Sequence, residues 1–300
     1  MTARPTHTVI QMSDPHILEP GQLLHGTVDT AATLTAALAQ LEGSGLRPDA
    51  IILSGDLTDT GSPAAYARLR AIVEPVARRL GSPVLYGAGN HDDRDALRAA
   101  IPRLGGDEHP DAGDGGRTDH EAPGRPIHYA RHLGGLRIAV LDSSVPGHPH
   151  GELGSDQLDW LTDLLREPAP DGTIVVVHHP PARSANAIME LISLRDDERL
   201  GAVIANRDVK IVLAGHLHYS SASAVGGVPV WVSGATAYLL DPLSPDPSRG
   251  LGGSQFTRVD VYPRGAVAAT VPVPSGAVVH ELSLANFERY LDLLGDHGDH

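Results

Sequence analysis

Residues 8–16 read Thr8-Val9-Ile10-Gln11-Met12-Ser13-Asp14-Pro15-His16. A short run rich in β-branched and apolar side chains stops at two residues that can bind metal or carry protons. Such a run, with no helical spacing, reads as a buried strand, Thr8–Met12. The same arrangement recurs four times. Ala50–Ser54 runs into Gly55-Asp56-Leu57-Thr58-Asp59, and Val84–Tyr86 into Gly89-Asn90-His91-Asp92. Ile174–Val177 runs into His178-His179-Pro180, and Lys210–Leu213 into Gly215-His216-Leu217-His218. Ligand sites in α/β sheets form outside the carboxyl ends of strands. Five such ends, each furnished with nitrogen and oxygen donors, predict one convergent site. Gly55, Gly89 and Gly215 each directly precede a candidate ligand. Singly they are ordinary turn glycines; together they fit backbone packed closely around a cluster.

Arg137–Leu141 reads as a further strand, and helices fill the gaps. Asp29–Leu41 has Asp29 as its N-cap and Leu34, Leu38 and Leu41 on one face. Pro63–Leu80 starts with proline and ends before Gly81. Ser155–Arg166 carries Leu158, Leu161 and Leu165, with Ser155 as the expected cap. The last third changes character. Ser220–Ser233 and Gln255–Val273 read as hairpins, and Asn286–Leu294 as a closing helix. Gly105–Pro126 and Asp241–Gly253, poor in apolar residues, read as surface loops. No repeat or linker interrupts the pattern. The expectation is one α/β domain over residues 1–300, with the part from about 255 onward an extension that the pattern leaves unplaced.

Composition narrows the chemistry. The net charge of −14, with no stripe of Lys and Arg, disfavours a nucleic-acid polymer as partner. Cysteine is absent, so a metal site must use nitrogen and oxygen donors, and the chain is expected to be cytoplasmic. No stretch reaches the roughly 18 apolar residues of a membrane span, and the first residues lack a signal-peptide pattern. Mn, Fe, Zn and Co all suit such donors.

The ordered blocks Asp14-Pro15-His16, Gly55-Asp56, Gly89-Asn90-His91-Asp92, His178 and Gly215-His216-Leu217-His218 resemble the calcineurin-like metallophosphoesterase family. The runs Ser44–Ala50, Gly89–Arg94, Ser144–His148, Pro168–Ile174, His178–Pro181 and Ala214–Ser220 are similar to those of class III cyclic nucleotide phosphodiesterases of mycobacteria. That likeness covers roughly residues 9–232. It implies a four-layer αββα sandwich of two mixed sheets flanked by helices. It implies one metal held by Asp14, His16, Asp56 and His218, and another by Asp56, Asn90, His178 and His216, with an iron–manganese pair expected. His91 would act on the leaving group rather than bind metal. The implied reaction is hydrolysis of a 3′,5′-cyclic nucleotide (cAMP or cGMP) by in-line attack of a hydroxide held between the metals. A 2′,3′-cyclic nucleotide or glycerophosphodiester hydrolase, a broad phosphatase and a non-catalytic scaffold are the alternatives. Asp59 and Asp92 are candidates to orient a ligand or His91, with helix capping the competing role. His148 and His150 are candidates to line the substrate pocket, although Pro149 stands where the mycobacterial enzymes have histidine. The resemblance also implies a homodimer.

Overall fold

The computed structural model describes residues 4–101, 104, 123–195, 197–244, 247–274, 283 and 289. In chain order the first half runs β1 (His7–Met12), α1 (Thr30–Gly43), β2 (Ala50–Ser54), α2 (Pro63–Leu80), β3 (Val84–Gly87), α3 (Arg94–Ala100), β4 (Tyr129–Leu133), β5 (Leu136–Val140) and α4 (Ser155–Leu164). The second half runs β6 (Gly172–Val176), α5 (Ala187–Leu191), α6 (Asp197–Ile204), β7 (Val209–Ala214), β8 (Ser221–Val225), β9 (Val228–Val232), β10 (Leu239–Leu240), β11 (Gly250–Leu251), β12 (Gln255–Tyr262) and β13 (Gly265–Pro272).

Two mixed sheets result. One has the order β13-β12-β1-β2-β3, the other β4-β5-β6-β7-β9-β8. Strands β1, β2 and β3 are parallel neighbours, as are β5, β6, β7 and β9. Alternating side chains on β5, β6 and β7 explain the layering. Leu136, Ile138, Val140, Ile174, Val176, Ile211 and Leu213 join the core shared with the first sheet. Ala139, Val175, Val212 and Ala214 face the other way and pack with Leu158 and Leu161 of α4 and Leu200 and Ile204 of α6. Helices α1 and α2 pack through Leu34, Leu38, Leu69 and Val73 on the first sheet's side of the core. The four-layer αββα sandwich is therefore present.

Predicted strands match to within a residue or two. Asp29 accepts from the Ala32 amide as expected. Ser155 does not cap its helix: Gly154 holds the cap position with no side-chain bond, and Ser155 is the first helical residue. Asp241–Gly253 is not all loop, since β11 pairs with β10 in a short ribbon. The segment beyond residue 255 supplies β12, which pairs antiparallel with β1 over His7–Gln11, and β13 beside it. Apart from Arg289, the helix expected over 286–294 lies outside the described residues, as does most of the 105–126 stretch.

One buried ion pair ties α3 to the second sheet. Arg94 Nε donates to Asp142 Oδ2 at 2.8 Å, and Asp142, fully buried after β5, also accepts from the Ile127 and Ser144 amides. Removing one partner of such a pair strands the other charge. Asp142→Ala is expected to destabilise the fold by about 3–5 kcal/mol, read as a lowered Tm. An unchanged Tm would show that the pair is not structural.

Candidate metal centre

Every predicted ligand lies just beyond the carboxyl end of a parallel strand. Asp14 and His16 follow β1, Asp56 follows β2, and Asn90 and His91 follow β3. His178 follows β6, and His216 and His218 follow β7. Asp14, His16, Asp56, His216 and His218 all have positive φ, between 43° and 69°. Residues with side chains populate that region at a cost of about 1–3 kcal/mol each when held there. The loops hold one another in it. His16 N donates to Asp56 O at 2.9 Å, Asp14 N to Gly55 O at 3.2 Å, and His216 N to the Asp14 carboxylate at 3.1 Å. Two glycines allow the close approach. A Cβ on Gly89 would fall 2.2 Å from the Asp56 amide nitrogen, and one on Gly215 would fall 1.9 Å from Ser13 Oγ.

The imidazoles are aimed by their second nitrogens. His178 Nδ1 faces the Ser54 carbonyl at 3.0 Å and His218 Nδ1 the Tyr238 carbonyl at 3.2 Å. A carbonyl only accepts, so these nitrogens carry the hydrogen, and Nε2 is the atom turned inward, with a lone pair to give whenever the ring is neutral. His16 Nδ1 contacts the Asp59 carboxylate at 3.1 Å, again leaving Nε2. His216 is turned the other way, with Nε2 on the Ile192 carbonyl at 3.1 Å and Nδ1 left over. The freed atoms converge. His16 Nε2 lies 3.2 Å from His218 Nε2 and 3.6 Å from Asp56 Oδ2. His178 Nε2 lies 3.3 Å from Asp56 Oδ2, and His218 Nε2 lies 3.4 Å from Asp14 Oδ1. His178 Nε2 and Asn90 Oδ1 are buried with no hydrogen-bond partner. Two orphaned atoms among lone pairs and carboxylates are the donor set a cation completes.

Electrostatics agree. Burial works against charge on Asp14 and Asp56, but His218 and His178 respectively outweigh it and hold both carboxyls below their ordinary value. Burial likewise opposes charge on His178, yet Asp56 and Asp14 push it up to about 10. His216, buried and facing His178, falls to about 3. The cluster thus retains positive charge between its carboxylates, and a metal ion would compete with that proton.

Groups able to hold a metal include Asp14 with His16 and His218, and Asp14 with Asp56 and His178. His179 also approaches His216, but both its ring nitrogens are engaged, by Ser143 Oγ at 2.8 Å and the Pro149 carbonyl at 3.1 Å. His91 stands beside the cluster. Its amide donates to Asp56 Oδ1 at 2.9 Å, its Nδ1 faces the Asp59 carbonyl at 2.9 Å, and its side chain is 41% exposed.

Asp59 therefore touches both His16 and His91. The Asp92 carboxylate is hydrogen bonded to neither His91 nor any predicted ligand side chain. It accepts from the Leu57, Thr58 and Gly89 amides and the Tyr66 hydroxyl, and so fastens the Asp56 loop to the Asn90 loop. Asp93, not Asp92, caps α3. His148 and His150 pack against each other with centroids 5.1 Å apart, and His150 pairs with Glu152; neither borders the cavity beside His91. That cavity, of about 490 Å³, is lined by Leu18, Gln22, Leu23, Leu24 and His25 together with Asp59 and His91. No predicted metal ligand lines this cavity, and a second one, of about 510 Å³ along β3, includes no predicted site residue at all. The sequence reading missed His25 and the carbonyls of Ser54, Ile192 and Tyr238; carbonyls carry no residue-type signal.

No helix among the described residues is long and apolar enough to cross a membrane. A family model described as calcineurin-like phosphoesterase matches residues 7–220, which span all five strand ends. A probable cyclic nucleotide phosphodiesterase of Rhodococcus erythropolis is 42% identical over 280 residues, covering 93% of this chain and 87% of that protein. A cAMP/cGMP dual specificity phosphodiesterase of Mycobacterium tuberculosis is 42% identical over 278 residues, covering 92% and 82%. The crystal structure of a dimetal phosphatase from Danio rerio shares the fold, with a TM-score of 0.58 at 14% identity over 88% of this chain and 98% of that one. With the family model spanning the donor-bearing strand ends, and relatives this similar along most of their length, the chain belongs to the calcineurin-like phosphoesterase family.

Proposed function

We propose that the protein hydrolyses 3′,5′-cyclic nucleotides at a dinuclear centre. The observation that carries this reading is the exposed His91 set against a buried cluster of converging donors, in a chain similar along most of its length to cyclic nucleotide phosphodiesterases. Asp14, His16, Asp56 and His218 would hold one cation, and Asp56, Asn90, His178 and His216 the other. Asp56 is the shared residue because a carboxylate has two acceptor oxygens and an imidazole does not. Bound there, two cations lower the pKa of water and take up charge on phosphoryl oxygens. Donors limited to nitrogen and oxygen suit Mn, Fe, Zn and Co alike, the iron–manganese pair among them is drawn from the family resemblance, and a chain without cysteine suits the cytoplasm.

His91 does the chain's own proton chemistry. Burial opposes its charged form, while Asp56 and then Asp59 raise its pKa, and bound cations would offset the part due to Asp56. With Nδ1–H directed at the Asp59 carbonyl, the proton to be given away sits on Nε2. It passes to the leaving ribose oxygen as the P–O bond breaks. The homodimer that the family resemblance implies is part of the same proposal.

Reconstituted protein is expected to carry about two metals per chain. Asp56→Ala should lose both, as read by elemental analysis; full occupancy in that variant would remove the shared-ligand assignment. Turnover of cyclic AMP, cyclic GMP, 2′,3′-cyclic AMP and a glycerophosphodiester tests the substrate class through kcat/KM. In the same assay His91→Ala should keep both metals and lose about 10²–10⁴-fold in kcat on cyclic AMP, and far less on a nitrophenyl ester. Equal losses on both substrates would end the proton-donor role. Light scattering should give twice the chain mass, and a monomer at all working concentrations would refute the dimer.

A further inference from the structure

The cavity beside His91 has one polar end and one apolar end. Asp59 and His91 border the first; Leu18, Gln22, Leu23 and His25 form the second. Its volume falls within the range of about 300–1,000 Å³ usual for small-molecule sites. None of the seven donors lines the cavity, but Asp59 and His91, which do, contact His16 and Asp56, so an ester whose phosphoryl group sat at the cluster would extend past His91 into this space. No Lys or Arg borders the cavity, so beyond His91 a substituent with further anionic groups would meet no permanent positive charge. A neutral, planar group suits these walls.

The loop that builds the apolar end is anchored from below. Leu18 and Leu24 are buried with Ala237 and pack on Val28 and Tyr238. Leu24 and Val28 exchange backbone hydrogen bonds of 2.9 and 3.0 Å. At the tip between them stands His25, with φ of 51°. A side chain in that conformation costs energy that glycine would avoid, yet the ring is exposed, and it makes no hydrogen bond or ion pair among the described residues. What fixes it is ring contact. His25 meets Tyr238 edge-on with centroids 5.3 Å apart, and Tyr238 lies 4.5 Å from the His218 ring. A file of three rings thus leads from the donor cluster to the cavity wall.

We propose that residues 18–25 form a nucleobase subsite in which the His25 ring stacks on the substrate's heteroaromatic base, with the phosphoryl group at the donor cluster. The proposal rests on the phosphoesterase reading and names the specificity residue of that same site. Leu23, 47% exposed at the cavity wall, supplies apolar contact beside the ring, and the Gln22 amide offers both donor and acceptor to the edge of a base.

The experiment uses the metal-loaded full chain and two probes, AMP and ribose 5-phosphate, titrated by calorimetry. Stacking on an aromatic side chain is sequence-tolerant and lost on truncation to alanine. Wild-type protein should bind AMP about tenfold tighter than ribose 5-phosphate. His25→Ala should abolish that preference, leave ribose 5-phosphate affinity within about twofold, and raise KM for cyclic AMP far more than it lowers kcat. His25→Phe, which keeps a ring and removes the nitrogens, should restore the preference. Equal binding of the two probes by wild-type protein would overturn the subsite, as would a preference that survives His25→Ala. Equal weakening of both probes, or a His25→Phe that behaves like His25→Ala, would overturn stacking as its basis. Failure of the functional reading is separate: wild-type protein would turn over no 3′,5′-cyclic nucleotide, while the binding contrast would still report on the subsite.

Discussion

Two carboxylates with almost no access to water, Asp14 and Asp56, set the terms for the rest of this structure. Each sits where burial alone would drive it neutral, and each stays ionised because imidazoles surround it. An ionised group in such a place costs several kcal/mol unless positive charge or hydrogen bonds answer it. The histidines from the far sheet supply part of that answer, so the two sheets are joined electrostatically as well as by their shared apolar core. The left-handed backbone at five donor positions follows from the same demand. Only that backbone turns Asp14, His16, Asp56, His216 and His218 back over the strand ends. The glycines between them let the loops touch.

Layers of support surround the centre. Main-chain carbonyls of Ser54, Ile192 and Tyr238 fix which nitrogen of each histidine looks inward. Asp92 secures the backbone just after Asp56 and just before Asn90, and the Tyr66 hydroxyl from α2 completes its shell. Asp59 serves His16 with its carboxylate and His91 with its carbonyl, so a binding group and a proton-transfer group share one neighbour. Substitution at any of these positions reaches the centre without touching a donor.

What the sequence made legible follows from where residue identity carries the information. Asp, His and Asn at strand ends are rare enough in combination to declare the cluster, and the apolar runs declare the strands. Ser155 misled because a serine before an apolar helix has the composition of a cap, whereas the turn geometry placed Gly154 there. His148 and His150 were legible as pocket candidates from their loop; in the fold His150 pairs with Glu152, the Pro149 carbonyl meets His179, and neither histidine lines the cavity beside His91. Asp92 was visible as important but not as a clamp, since the partners it holds are amides. His25 stood unmarked among seventeen histidines, and only the folded loop brings it to the cavity that exposes His91.

Strand β12 lies directly against β1, pairing residues about 250 positions apart. During synthesis β1, which leads into Asp14 and His16, emerges long before β12 and waits for that strand before its flank is covered. Until then an apolar strand offers unpaired amides and carbonyls to any neighbour. Contacts of such long range also slow folding, because the loop must close before the pairing rewards it. The donor cluster cannot gain its final geometry ahead of the sheet that bears it. Metal uptake is thereby tied to a polypeptide made at least as far as β12, and a shorter one would present its stickiest edge beside an unsupported binding site.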